Sequence, residues 1–281
     1  PVLGSVCDAR AVARALSGGA DIVFHAAACK HVPLAETNAA TCVATNLLGT
    51  ATMIRHAREA GAGRFILVST DKAIRPAGVM GASKRLAEIA ALDHGRRAGA
   101  PLTAVVRFGN VLGSSGSVVP ILCEQIARGG PLTISHPEAE RYFMTMRGAT
   151  TLLLHAGHLV TGGETFFQEM GDPVRILDLA EGLIRAARRA GGARPAVRFT
   201  GLRPGEKLRE APHAEAGEPV AGLPGLRRAF EPLPGELAAA SVLRTMRELV
   251  ETGDEAAIGR ACIDLARRLW TPDGLGQVAL P

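Results

Sequence analysis

No apolar run in this chain of 281 residues approaches the roughly 18 residues that a membrane span needs; the longest are short segments such as Phe65-Ile66-Leu67-Val68. The sequence therefore reads as soluble. It holds one Trp and one Tyr, too few for the row of aromatic faces on which single-stranded nucleic acid stacks. Basic blocks are missing too. The formal net charge of +5 is spread along the chain, which disfavours nucleic acid and suits an anionic small molecule. Five cysteines (Cys7, Cys29, Cys42, Cys123, Cys262) form no Cys-x-x-Cys pair, so a reduced, cytoplasmic compartment is expected rather than a disulfide framework. Lysine is scarcest of all. Of 32 basic residues only Lys30, Lys72, Lys84 and Lys207 are not Arg. A lysine amine changes its proton affinity on burial and an arginine does not. The four are therefore site candidates, although chance survival explains any one of them equally well.

What is present is a globular composition, 47% hydrophobic, long enough for one large domain or two modest ones at about 100 to 200 residues each. Short β-rich runs at Ile22 to Ala26, Arg64 to Ser69 and Thr103 to Phe108 alternate with helical stretches near Asn38 to Ala60 and Val79 to Arg97. That order predicts an α/β fold with a Rossmann-type parallel sheet covered on both faces. Ligands of such sheets bind beyond the carboxyl ends of the strands, so the residues after Ala26, Ser69 and Phe108 are expected to share one crevice. We assign residues 1–112 to the dinucleotide-binding domain and 113–210 to a smaller substrate-binding region with returning sheet elements. Residues 211–281 are assigned to a Pro/Gly/Ala-rich linker, to about Pro234, and two C-terminal helices.

Two segments carry chemistry by spacing alone. Ser69-Thr70-Asp71-Lys72 sets a carboxyl beside an ammonium at a strand end, a general acid next to a general base, as an elimination requires. The same string also fits a helix N-cap followed by a surface ion pair. Met80 and Lys84 lie four residues apart at the start of the next helix, on one face. This is the Tyr-x-x-x-Lys spacing of short-chain dehydrogenases with Met in the Tyr place, and the single Tyr, Tyr142, has Met146 four residues on. Other signals are discounted: His155 and His158 have no third metal ligand nearby, so no metal is expected, and Gly113 to Ser117 is neither a nucleophile elbow nor a P-loop.

Six motifs in order make a resemblance specific: Phe24 to Pro33, Ser69 to Lys72, Met80 to Lys84, Arg107 to Val118, Arg141 to Thr145 and Gly201 to Lys207. From about Val2 to Glu210 the chain resembles the CapD-like polysaccharide-biosynthesis family, extended short-chain dehydrogenases that act as UDP-N-acetylglucosamine 4,6-dehydratases. The resemblance implies NAD or NADP as cofactor and a UDP-sugar as substrate. Ala26, Ala27, Ala28, Asn46, Ser69 and Lys84 match the cofactor side. Thr70, Asp71, Lys72, Met80 and Lys84 match the catalytic positions, with Asp71 as acid and Lys72, if its pKa is lowered, as base. Lys30, Asn110, Ser117, Val118, Arg141, Arg203 and Glu206 match the substrate side. A nucleotide-sugar 4- or 5-epimerase, or a silent nucleotide-sugar-binding fragment, remains the alternative. The family's opening strand and Gly-x-x-Gly-x-x-Gly turn are not in this sequence, which starts near the Gly-Asp-Val-Arg-Asp that follows them, with Ser5 in place of an Asp. The chain is thus expected to be a piece of a longer protein, a homo-oligomer, with membrane attachment only through a preceding region.

Overall fold

A computed structural model of the protein describes residues 1–191, 195–211 and 217–269. Three parallel strands, β1 (Ile22–His25), β2 (Arg64–Thr70) and β3 (Leu102–Phe108), begin a six-stranded sheet. Thr165–Gln168 joins β3 in parallel, and Leu226–Ala229 and Glu218–Pro219 close the far side in antiparallel pairing. The last two strands fall where the composition predicts linker. Their Pro and Gly punctuate a tight hairpin instead of a loose tether, so the linker reading is corrected for residues 218–229.

The apolar run in β2 explains the layering. Successive strand side chains point to opposite faces, and Phe65, Ile66 and Leu67 are all buried. Phe65 and Leu67 pack with Ile54 and Ala57 of the Gly49–Glu59 helix and Ala87 and Ala91 of the Val79–Gly95 helix. Ile66 faces the other way, onto Ala149, Leu152 and Ala156 of the Met146–Leu159 helix. Both faces of the parallel sheet are therefore covered, as such sheets require. The stretch expected as one helix from Asn38 to Ala60 contains a π-turn, Ala44–Leu48, between Ala39–Val43 and Gly49–Glu59.

A smaller unit pairs Leu132–Ile134 with Val197–Phe199 and packs the Val118–Ala127 and Ile176–Arg189 helices around Leu122, Ile134, Ala180 and Ile184. The two C-terminal helices, Glu236–Thr252 and Glu255–Arg268, lay Val242, Met246, Ile258 and Cys262 on the outer side of the Val79–Gly95 helix. That helix is consequently buried over nearly its whole length, which fixes whatever its first turns carry. Among the described residues no helix is long and apolar enough to cross a membrane.

Candidate active site

At the carboxyl end of β2 the chain turns through a single 3-10 turn, Asp71–Ala73, whose first amides are capped by the Thr70 hydroxyl. The cap is thus present, but Asp71 is not on the surface as the capping alternative has it: its side chain is fully buried. Thr70 Oγ1 donates to Asp71 Oδ1 at 2.9 Å, and Lys72 Nζ donates to the same oxygen at 2.9 Å. Lys72 Nζ also donates to Asn110 Oδ1 at 3.0 Å. Asn110 is held just past β3 by its own amide on the Tyr142 carbonyl, where Asn110–Val111 pairs with Phe143–Met144. The residues following β2 and β3 therefore meet, as their positions after parallel strands predict.

The helix that follows is pressed against this turn by glycine. A Cβ on Gly81 would lie 2.2 Å from the Lys72 carbonyl oxygen, a backbone atom that cannot step aside. A Cβ on Gly78 would lie 2.6 Å from Gly205 Cα, so the helix start abuts the turn Gly201 to Lys207, and Glu36 Oε1 of the Val32–Thr37 helix accepts the Val79 amide at 2.8 Å. We expect Gly81→Ala to cost about 1–3 kcal/mol through overpacking and to displace Lys72; urea denaturation checks it, and an unchanged midpoint contradicts the close approach.

Met80 is buried and lines a small pocket with Val32, Lys72, Gly205, Lys207 and Glu210. One turn on, Lys84 is also buried and donates to the Val68 carbonyl at 2.6 Å. Burial brings its pKa down to about 8, against a smaller upward pull from Glu88 and Cys42. An unfolded Lys titrates near about 10.4, so between these values the unfolded chain binds the extra proton and stability rises with pH. Lys84→Met should remove that rise, read as the difference in urea stability between the two proteins at pH 8 and pH 10; a constant difference would rule out the depressed amine.

Lys72 behaves in the opposite way, and this corrects the expectation of a lowered pKa. Burial alone pulls its affinity for the proton down, but the carboxylates of Asp71 and Glu210 outweigh burial and hold its pKa above the ordinary lysine value. The resting pair is carboxylate and ammonium.

On the cofactor side, Ala26, Ala27 and Ala28 are exposed at the end of β1, leaving a surface of small side chains that a flat ligand can approach. Asn46 sits fully buried in the π-turn; its amide binds the Cys29 backbone and donates to Ser83 Oγ at 2.9 Å. Ser69 points off the crevice side of β2, on the face of Phe65 and Leu67, and its hydroxyl binds Glu88 at 2.5 Å. It is engaged in the interior rather than presented to a ligand.

The substrate-side residues fall into three groups. Lys30 donates to the Ser115 carbonyl, pinning the Gly113 to Ser117 loop to the segment after β1. Ser117 precedes Val118 at the start of the Val118–Ala127 helix, and its hydroxyl is buried without a partner among the described residues. Arg141 spends its guanidinium on the carbonyls of Glu140, Lys207 and Leu208, while Arg203 Nε and Nη2 both donate to Glu206 Oε1, at 3.0 and 2.6 Å. Glu36 and Glu210 are the site residues that sequence reasoning missed. Nothing local marks either one, since each acts on partners more than 40 residues away or across a turn.

The polysaccharide biosynthesis protein family matches residues 1–217. The capsular polysaccharide biosynthesis protein CapD of Staphylococcus aureus is 48% identical over 191 residues, 67% of this chain and 31% of CapD. The chain thus spans about a third of that relative's length. A UDP-glucose 4-epimerase of Rickettsia typhi is 36% identical over 195 residues, 69% of this chain and 56% of the epimerase. Among solved structures, Pen from Bacillus thuringiensis superposes with a TM-score of 0.75 at 33% identity, covering 82% of this chain and 71% of Pen. On this match, and on a Rossmann-type α/β sheet with three of the six motifs at the ends of β1, β2 and β3, the chain belongs to the polysaccharide biosynthesis protein family, the CapD-like extended short-chain dehydrogenases.

Proposed function

We propose that the chain is the catalytic part of a nucleotide-sugar 4,6-dehydratase, converting UDP-N-acetylglucosamine to a UDP-4-keto-6-deoxy sugar with NAD or NADP. One observation carries the reading: a carboxylate and an ammonium, 2.9 Å apart at the end of a parallel strand, beside a pocket lined by Met80. Loss of water across C5 and C6 needs a base for one proton and an acid for the departing hydroxyl. A plain C4 inversion needs no base at C5 and no acid at C6.

The residues present fit a nicotinamide cofactor. Lys84 Nζ has three N–H donors and uses one on Val68, leaving donors for ribose hydroxyls, while Ala26, Ala27 and Ala28 leave room for a planar group. When bound, the cofactor supplies a hydride acceptor at C4 and a hydride donor at C6. Met80 carries no exchangeable proton, so the C4 hydroxyl proton leaves to solvent by way of the Thr70 hydroxyl, which lies 2.9 Å from Asp71 Oδ1. The Asp71 and Lys72 pair holds one proton. Passed along the 2.9 Å contact from Lys72 to Asp71, it leaves an amine that takes the C5 proton and a carboxylic acid that protonates the C6 hydroxyl. The amine then returns the proton to C5 as hydride reaches C6 and regains one proton from solvent, which replaces the one given to the C6 hydroxyl and matches the one lost from the C4 hydroxyl.

On the substrate side, the orphan hydroxyl of Ser117 and the start of its helix, at Val118, suit a diphosphate. Arg141, Arg203 and Glu206 are the further residues assigned to the nucleotide sugar, and Lys30 holds the loop through the Ser115 carbonyl. The identity to a UDP-glucose 4-epimerase favours one second reading, 4-epimerisation. The test incubates the chain, alone and joined to an N-terminal Gly-x-x-Gly-x-x-Gly βαβ unit, with UDP-N-acetylglucosamine and NAD or NADP. Mass spectrometry should find a product lighter by one water. A product of unchanged mass with inverted C4 would replace the dehydratase with the epimerase.

A further inference from the structure

Glu210 lies three residues beyond Lys207, outside every motif that the sequence presents, yet its carboxylate is almost wholly inside the protein, with 2% side-chain exposure. Three cations converge on it. Lys72 Nζ is 3.6 Å from Oε1, Arg141 Nε is 3.8 Å from Oε1, and Lys207 Nζ is 3.3 Å from Oε2. Each partner is itself held on a second side: Lys207 by the Ile74 carbonyl at 2.8 Å, Arg141 by the carbonyls of residues 207 and 208. Glu210 is therefore the joint between the catalytic turn after β2, the strand Glu140–Arg141, and the turn that starts at Gly201.

Among the described residues the anionic partners of Lys72 are Asp71 and Glu210. An ammonium offers three N–H donors and no lone pair; two of them are used on Asp71 and Asn110, and Glu210 lies on the remaining side of the cluster. Removing Glu210 would leave Lys72 facing Arg141 and Lys207 with one carboxylate in place of two. Buried charges respond strongly to such a change, because low local polarizability leaves the pair interaction poorly screened.

We infer that Glu210 is a positioning residue for the Asp71 and Lys72 pair, fixing both the place of the Lys72 amine and the side of the pair on which the shared proton rests. Its consequence for turnover rests on the dehydratase reading; its effect on Lys72 does not. Glu210 thereby ties the protonation of the pair to the seating of the Gly201 to Lys207 turn, which sits at the edge of the same pocket.

The scarcity of lysine makes a direct test practicable. Lysine labelled with 13C at Cε gives four signals from this chain, assigned by Lys72→Arg and its three counterparts, and each is titrated between pH 6 and 12. With Glu210→Gln the Lys72 midpoint should fall by at least one pH unit, a tenfold loss of proton affinity, and the midpoint of Lys84 should stay in place. Glu210→Asp, which keeps the charge, should restore most of the loss. Glu140→Gln is the control, since Glu140 pairs with Arg209 at 3.1 Å and not with Lys72. An unchanged Lys72 midpoint in folded Glu210→Gln would overturn the inference, as would an equal fall in Glu140→Gln. Failure of the dehydratase assay would leave these titrations standing, so the two readings fail separately.

Discussion

Asp71→Asn should lower the rate of water loss from UDP-N-acetylglucosamine by about 10²- to 10⁴-fold, the usual weight of one positioned acid or base. The amide is the same size and keeps an acceptor for Thr70 and Lys72, which hold the carboxylate at 2.9 Å each. What it loses is the capacity to hold the proton that Lys72 must release before it can act at C5. The fold should survive, because Glu210 still faces Lys72. Single-turnover measurement of product mass, with circular dichroism as the folding control, decides the point. A rate within threefold of the parent would remove Asp71 from the chemistry.

The largest effect on stability is expected from Glu88→Gln. Glu88 is fully buried on the Val79–Gly95 helix and accepts from Arg107 Nη2 at 2.7 Å, Arg85 at 3.1 Å and Ser69 at 2.5 Å. Glu231 completes the cluster by binding both arginines. Burial alone would raise the Glu88 pKa, but Arg107 and Arg85 outweigh it and bring the value down to about 2. Removing one carboxylate from such a buried set leaves two guanidiniums to share Glu231 and costs about 3–5 kcal/mol. The sign with pH follows from linkage: a depressed carboxylate stabilises above its unfolded pKa, near about 4.3, and the contribution fades as pH falls toward 2. The difference between Glu88→Gln and the parent in urea unfolding should therefore be largest at pH 7 and shrink in acid. A difference below about 1 kcal/mol at pH 7 would mean that the cluster does not hold the helix to the sheet.

The parts of this molecule that were legible beforehand are those written locally. β-rich runs gave β1, β2 and β3 within a residue or two at most ends, and polar motifs at strand ends named Asp71, Lys72 and Asn110 before their contact was visible. What was not legible depends on partners distant in the chain. Glu231 reads as part of a Pro-rich linker until Arg85 and Arg107 are seen to reach it, more than 120 residues away. Glu210 lies outside the sequence motifs, and with Asp71, the larger contributor, it turns the Lys72 pKa upward against burial. The π-turn carrying Asn46 left no mark in the 3.6-residue pattern, because it shifts the helical phase by a single residue. Arg203 and Glu206 are expected to face a nucleotide; in the structure Arg203 Nε and Nη2 both donate to Glu206 Oε1, so a ligand has to compete with that ion pair.

The most direct test follows an isotope. UDP-N-acetylglucosamine carrying deuterium at C4 is given to the chain joined to its Gly-rich βαβ unit, with unlabelled NAD or NADP. If hydride leaves C4 and returns at C6 within one turnover, the product is lighter by one water, keeps the deuterium, and bears it at C6. A product that keeps its full mass with deuterium still at C4, or one that has lost water and deuterium together, would contradict the account.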